Sequence, residues 1–391
     1  MDIPMPNGQP SLVVFIGGFG PSDVERIVDD ARIDASLEAA KAWGGHTVMV
    51  TNGGNFNIDS LAAFDLIDEA TDAFGNKLAT AIRGFDSLPP AGGLPFHFGR
   101  RLEGVLREYA PPFCIYMGGG STPLFQAADF DALASRLTTS TITTNNFFSS
   151  DLIAFPVNEV TLTTVAGVDR DNSLARALKE NAGLDVRPLD RNVTTQFDID
   201  TPTDLCVLAL TGEGGPRLRQ RLASLNLDVE RYRAVLPFFL DTTKQIVVAG
   251  RVGTQAWSYL ERETACRVRL FAEERGMEAD GRAASGEARS LLGYYLEAVG
   301  IRRFFETLRE LGDAAFIDTR VLLAHKRIEA SREDRFLSDL GRWESIADPF
   351  LRDFTRLALE APMPVLLGGH SLMAGGLMAL NEYAWRTLGD D

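Results

Sequence analysis

Residues 11–54 follow a pattern that few folds accommodate. The apolar run Leu12-Val13-Val14-Phe15-Ile16 leads directly into Gly17-Gly18-Phe19-Gly20-Pro21. Ser22 or Asp23 can cap the stretch that follows. Its apolar residues Val24, Ile27, Val28, Ile33, Leu37 and Ala40 recur at approximately helical spacing as far as Trp43. A second apolar strand, Thr47-Val48-Met49-Val50, then ends in Thr51-Asn52-Gly53-Gly54. Strand, glycine loop, helix and strand make a βαβ opening. Such units are right-handed and parallel, and ligands collect beyond the carboxyl ends of their strands.

The rest of the chain extends this α/β pattern. Ile58–Phe74 reads as a helix, Asp86–Pro95 as a Pro/Gly-rich loop, and Gly99–Tyr109 as a helix. Phe113–Met117 is a third strand, followed by a short helix over Phe130–Leu137. Thr139–Phe155 reads as strand with a break at Asn145-Asn146. After a helix over Asn172–Asn181 come strands over Val186–Leu189 and Val193–Ile199. Glycines and Pro216 between Leu210 and Arg217 mark a boundary, so domains are expected at 11–210 and 217–391. In the second, strands Gln245–Ala249, Arg267–Phe271, Ala314–Ile317 and Pro364–Leu367 alternate with helices Thr254–Thr264, Glu287–Leu311 and Pro349–Glu360. A chain of 391 residues is long enough for both.

A net charge of −15 argues against nucleic acid or an anionic membrane as partner. It leaves room for an anionic small ligand, because backbone amides or a bound metal supply positive potential locally. No apolar run reaches membrane-spanning length and the first ten residues lack a signal pattern, so a cytoplasmic protein is expected. Cys114, Cys206 and Cys266 lie apart in apolar runs and read as buried thiols. Self-association into a homo-oligomer is left open.

Three constellations in the first half could carry chemistry. Gly17, Gly18 and Gly20 follow a strand and precede a helix, where backbone approaches a ligand closely and unpaired N–H groups face an anion. Their spacing is neither the dinucleotide fingerprint nor the phosphate-loop motif. Gly118, Gly119, Gly120 and Ser121 form a second such loop, expected beside the first in a parallel sheet. Asn145 and Asn146 offer amides that orient a sugar or phosphate, or satisfy a turn.

The fourth is Phe197-Asp198-Ile199-Asp200-Thr201-Pro202-Thr203-Asp204-Leu205. In extended chain, Asp198 and Asp200 share one face and can approach one cation. Thr201 is a natural N-cap, with Pro202 at the first helical position and Asp204 three residues after the cap.

In this order, residues 11–210 resemble nucleotidyltransferases of the GT-A-like fold, in particular the molybdenum-cofactor and 2-phospholactate guanylyltransferases. Leu12–Gly20 is similar to that family's strand and glycine loop over the nucleotide. Asp198–Leu205 is similar to its DIDTPEDL-type closing segment. The resemblance implies a GT-A-like three-layer α/β sandwich, here with a second, smaller α/β domain. It also implies transfer of a nucleoside monophosphate from a nucleoside triphosphate to a phosphorylated or acidic small acceptor. Mg²⁺ would be held by Asp198 and Asp200, the catalytic pair. The chain departs from the family in two places. Phe19–Ala31 contains one basic residue, Arg26, where the family has an Arg and a Lys. The family's acid after the third strand is absent from Gly118–Leu124, although Pro123-Leu124 is retained. Two alternatives therefore stand: a non-catalytic nucleotide or sugar-phosphate binding protein, and a nucleotide-sugar-dependent glycosyltransferase.

The second half matches no such pattern. Its strand ends carry Arg251, Glu273, Asp318, Arg320, His370 and Ser371, and Glu273, Asp318 and His370 are expected to converge at one edge of a small parallel sheet. Without a GxSxG elbow, His370 with Ser371 reads as a helix-start cap or anion contact rather than a hydrolase pair.

Overall fold

A computed structural model describes residues 9–51, 81–84, 96–278 and 280–389. The expected helix Ile58–Phe74 and the loop Asp86–Pro95 lie outside these residues, as does Asn52-Gly53-Gly54. The chain forms two compact units, 1–21 with 32–191 and 22–31 with 192–391. Residues 192–210 thus pack within the second unit, whereas the sequence-based ranges grouped them with the first.

The first unit is built on a seven-stranded mixed sheet in the order β3-β2-β1-β4-β6-β5-β7. Its strands are β1 Ser11–Ile16, β2 Thr47–Thr51, β3 Ala81–Gly84, β4 Phe113–Gly118, β5 Thr141–Thr144, β6 Leu152–Pro156 and β7 Asp185–Pro188. β6 runs antiparallel to β4 and β5, while β1 is parallel to β2 and β4. Successive side chains of β1 enter different cores, as strand alternation requires. Val13 and Phe15 join Val48, Val50 and Tyr116 under the helices Phe98–Tyr109 and Glu159–Ala166. Leu12, Val14 and Ile16 join Met49, Ile115 and Met117 under Ile33 and Leu37 of the helix Asp23–Trp43. Both faces of the central strands are covered, which is why β1 and β4 read as continuous apolar runs.

The second unit has a four-stranded, wholly parallel sheet in the order β11-β10-β8-β9. The strands are β8 Gln245–Gly250, β9 Arg267–Ala272, β10 Ala314–Asp318 and β11 Val365–Gly368. Val247, Ala249, Ala315, Ile317, Val365 and Leu367 pack one face against Phe304, Phe305 and Phe354. Phe316 points to the other face, its ring 5.8 Å from that of Phe239. The helices Pro216–Ser224, Glu230–Leu240, Thr319–Lys326 and Arg332–Asp339 complete the unit and were not anticipated from sequence.

The expected strand Val193–Ile199 is instead a helical turn, Val193–Gln196, followed by extended chain. Its β-branched residues favour strand. Asn192 overrides them: its Oδ1 accepts from Thr195 N at 3.1 Å, and Asn192 N donates back to Thr195 Oγ1 at 3.2 Å.

Candidate functional site

In the first unit the two glycine loops meet. β1 and β4 pair in parallel with Phe15 opposite Gly118, so Gly17–Gly20 and Gly118–Ser121 leave the sheet side by side. Gly119 N donates to Phe15 O at 2.7 Å. A β-carbon on Gly119 would lie 3.1 Å from both Ile16 Cα and Phe15 O, a close approach that a side chain could enter only if this backbone shifted by a few tenths of an ångström. Arg32, from the helix Asp23–Trp43, ties the loops together. Its Nε donates to Gly119 O at 2.7 Å and its Nη1 to Gly17 O at 2.8 Å, while the guanidinium lies over the Phe19 ring at 4.2 Å. No motif or spacing in the sequence singles out Arg32. A buried brace leaves no periodic signal.

The loops differ in what surrounds them. Among the described residues, a β-carbon on Gly17 would meet nothing within 4 Å. Gly120 takes the left-handed conformation, φ 89°, in a turn closed by Ser121 N donating to Gly118 O. The Ser121 hydroxyl is buried and has no hydrogen-bond partner among the described residues. Asn145 and Asn146 both serve their own loop. Asn145 Oδ1 accepts from Leu152 N at 3.1 Å, and Asn146 Oδ1 accepts from Phe148 N at 3.2 Å. That loop ends beside the glycines, where Gly118 N donates to Asp151 O.

The acidic segment lies in the second unit with the strand ends of the four-stranded sheet. Phe197 and Ile199 are buried, Asp198 is half-buried and Asp200 is exposed, so the two carboxylates take the outward side of an extended stretch. Thr201, Pro202 and Asp204 cap the helix Pro202–Thr211 as expected. Asp204 Oδ2 accepts from Asp200 N, Thr201 N and Thr201 Oγ1 at 2.7–3.0 Å, and Oδ1 accepts from Ser371 Oγ at 2.5 Å. Burial and the nearby Asp200 charge raise the Asp204 carboxyl to about 7, against the hydrogen bonds that lower it. Thr203 Oγ1 donates to Leu367 O at 2.8 Å, fastening this helix to β11. At Gly375, after β11, a β-carbon would stand 2.4 Å from Phe197 Cα; glycine lets that turn clamp the acidic segment.

Arg251 and Asp318, from the ends of β8 and β10, form a two-pronged pair. Arg251 Nε is 2.6 Å from Asp318 Oδ2 and Nη2 is 3.2 Å from Oδ1. Asp318 is buried, and the Arg251 charge beside it holds its carboxyl below the ordinary range against that burial. Arg320 makes a second fork, to both oxygens of buried Asp339 at 2.6 Å, and also donates to Gly368 O. Asp339 gave no sequence signal, since it lies at the end of a helix with no motif around it. His370 follows β11. Burial first, then the Arg251 charge, lowers its imidazole from the ordinary value, opposed by Asp318 and Asp200.

Asp318 and His370 lie within electrostatic reach of each other, whereas Glu273 is engaged elsewhere. Its carboxylate accepts from Ser290 Oγ and Leu291 N and caps the helix Leu291–Leu311. Ser371, committed to Asp204, is no nucleophile for His370. Cys114, Cys206 and Cys266 are buried free thiols.

Mg²⁺ takes one or two protein carboxylates and fills its shell with water and substrate phosphate oxygens. With Asp204 filled by four donors, Asp198 and Asp200 are the carboxylates this segment can offer. Among the described residues no group of three or more His, Cys, Asp or Glu is arranged to hold a metal. The donor set fits Mg²⁺ carried by a polyphosphate, not a metal enclosed by protein.

No protein-family model and no curated protein matches the sequence. Among solved structures, the chain is similar to a "putative nucleotide-diphospho-sugar transferase" from Desulfovibrio desulfuricans G20. That match has 11% identity and a TM-score of 0.38, and covers 56% of this chain and 95% of the other. It is also similar to a cytidylyltransferase from Leptospira borgpetersenii serovar Hardjo-bovis, with 13% identity and a TM-score of 0.34, over 55% of this chain and 92% of the other. At such TM-scores the likeness carries no assignment of activity. Among the described residues no helix is long and apolar enough to cross a membrane.

Proposed function

We propose that this chain is a transferase acting on a nucleotide, with a GT-A-like first unit that holds the nucleotide on the loops Gly17–Gly20 and Gly118–Ser121. The observation that carries this reading is the Arg32 brace between those loops. In the strand order β2-β1-β4 the chain turns to opposite sides of β1, so the crevice beyond β1 and β4 is the topological switch point of the sheet. Ligands of open α/β sheets settle there. Among the described residues nothing stands over Gly17 and the buried Ser121 hydroxyl has no partner, which suits a ligand bound through backbone and hydroxyl contacts.

The finer reading is transfer of a nucleoside monophosphate from a triphosphate to a phosphorylated or acidic small acceptor. The carboxylates proposed for Mg²⁺ are Asp198 and Asp200; a bound Mg²⁺ supplies charge neutralisation in chemistry of this class. Binding of a nucleotide or sugar phosphate without transfer is the second reading. It is favoured by the finding that, among the described residues, no group of three or more His, Cys, Asp or Glu is arranged to hold a metal.

The test is a binding panel of nucleoside triphosphates and nucleotide sugars, with and without Mg²⁺, followed by assay of pyrophosphate release. A ligand at a hundredfold excess over its Kd stabilises by about 2.7 kcal/mol. Transfer requires Mg²⁺-dependent binding that Asp198→Asn/Asp200→Asn weakens, together with pyrophosphate release. Binding that survives that double variant without turnover selects the second reading. No binding by any nucleotide, or binding unchanged in Gly17→Val, rejects both.

A further inference from the structure

The four-stranded sheet has a switch point of its own. From β8 the chain passes to β9 on one side and to β10 on the other, so the crevice lies beyond the carboxyl ends of β8 and β10. Its floor is closed and neutral. Gly250, at φ 138°, presses so tightly on β10 that a β-carbon there would stand 2.3 Å from Asp318 Cβ, and the Arg251–Asp318 fork spans the two strand ends.

Two side chains near these strand ends have no hydrogen-bond or ion-pair partner among the described residues. Arg275, on the segment after β9, is exposed, and among the described residues it has no carboxylate or hydrogen-bond partner. Its guanidinium lies alongside Gly253, 3.4–3.5 Å from where a β-carbon would be, at the start of the helix Thr254–Glu263. The His370 imidazole, half-buried and in the field of both Arg251 and Arg275, likewise makes no hydrogen bond with a described residue. By contrast, the neighbouring Arg320, Glu273 and Ser371 have their polar groups engaged.

A planar guanidinium and an imidazole near the same strand ends, neither paired with another described side chain, are the donors that phosphate oxygens take. Exposed Asp200 is the opposing charge near His370, and it disfavours a ligand with anionic groups at both ends. We propose that the edge of the four-stranded sheet is a second ligand site, for a small phosphomonoester, bound by Arg275 and His370. This site stands whether or not the first unit transfers a nucleotidyl group.

The experiment is calorimetric titration of the intact chain with inorganic phosphate and with glycerol phosphate. Arg275→Met and His370→Asn are compared with wild type and with Arg262→Met, which changes an exposed arginine elsewhere in the unit. The expected result is at least tenfold tighter binding of glycerol phosphate to wild type and Arg262→Met than to Arg275→Met or His370→Asn. Gly17→Val should leave this binding intact, which separates it from the nucleotide reading. No binding to wild type overturns the proposal. So does equal binding by Arg275→Met, or loss of binding in Gly17→Val, which would assign the phosphate to the glycine loops.

Discussion

The hydroxyl of Ser371 donates to Asp204 Oδ1 at 2.5 Å, joining residues 167 positions apart. The contact completes a carboxylate that also holds Asp200 N and Thr201 N, so Asp204 positions the acidic segment without facing a ligand itself. Asparagine at 204 can keep one oxygen for the amides and turn its NH₂ to Ser371. Asp204→Asn is expected to cost about 1 kcal/mol or less, and Asp204→Ala about 2–4 kcal/mol, because it strands a cap and a buried hydroxyl. Urea midpoints of the two variants check this; equal losses would contradict it.

Arg32 serves two carbonyls with two donors of a rigid fork. Lysine has one point of charge and cannot reproduce the fork. Arg32→Lys should leave one glycine-loop carbonyl unsatisfied, lower stability by about 1–3 kcal/mol, and weaken nucleotide binding through misplacement of the loops. Denaturation and the nucleotide panel read the two effects separately.

Gly250 tolerates no side chain. Its φ of 138° and its approach to Asp318 both require glycine. Gly250→Ala is expected to destabilise the protein by roughly 2–5 kcal/mol, from backbone strain plus overpacking. A thermal midpoint within error of wild type would refute the contact.

The buried Arg251–Asp318 pair predicts asymmetric losses. Arg251→Met leaves an uncompensated buried carboxylate and should cost about 3–5 kcal/mol, whereas Arg251→Met/Asp318→Leu should cost less than that single change. A double-mutant cycle in urea measures the difference.

His46 sets a pH dependence in the first unit. It is buried, with Nδ1 2.8 Å from Ser11 Oγ, and burial lowers its pKa from the ordinary 6.5. As pH falls through 6.5 the unfolded chain takes up a proton that the folded imidazole resists, so stability is full above that pH and declines below it. His46→Gln, which keeps a partner for Ser11, should lose less stability than wild type between about pH 7.5 and about pH 5.5.

The strands were legible because β1, β4, β8, β10 and β11 are buried on both faces and so read as unbroken apolar runs. The glycine loops were legible because they sit directly at strand ends, and their adjacency followed from parallel pairing. The capping of Pro202–Thr211 could be read from three residues. What joined these pieces could not. Arg32 and Asp339 act through tertiary contacts with no local period. The strand expected at Val193–Ile199 lost to a capping box at Asn192, a local hydrogen-bond pattern stronger than β-propensity. Nor did spacing show that Asp198–Leu205 belongs with residues 365–376, because those contacts depend on a chain reversal through the whole second sheet.

That long reach has a consequence in time. On the ribosome, at about 5–20 residues per second, the acidic segment emerges roughly 8–30 s before Ser371 is made. During that interval Asp204 lacks its partner and Phe197 lacks the turn at Gly375 that clamps it. The first unit holds all its strands by residue 188 and can close early. The most motif-like stretch of the protein is thus among the last to be secured, and it stays open to chaperones or proteases until β11 has been synthesised.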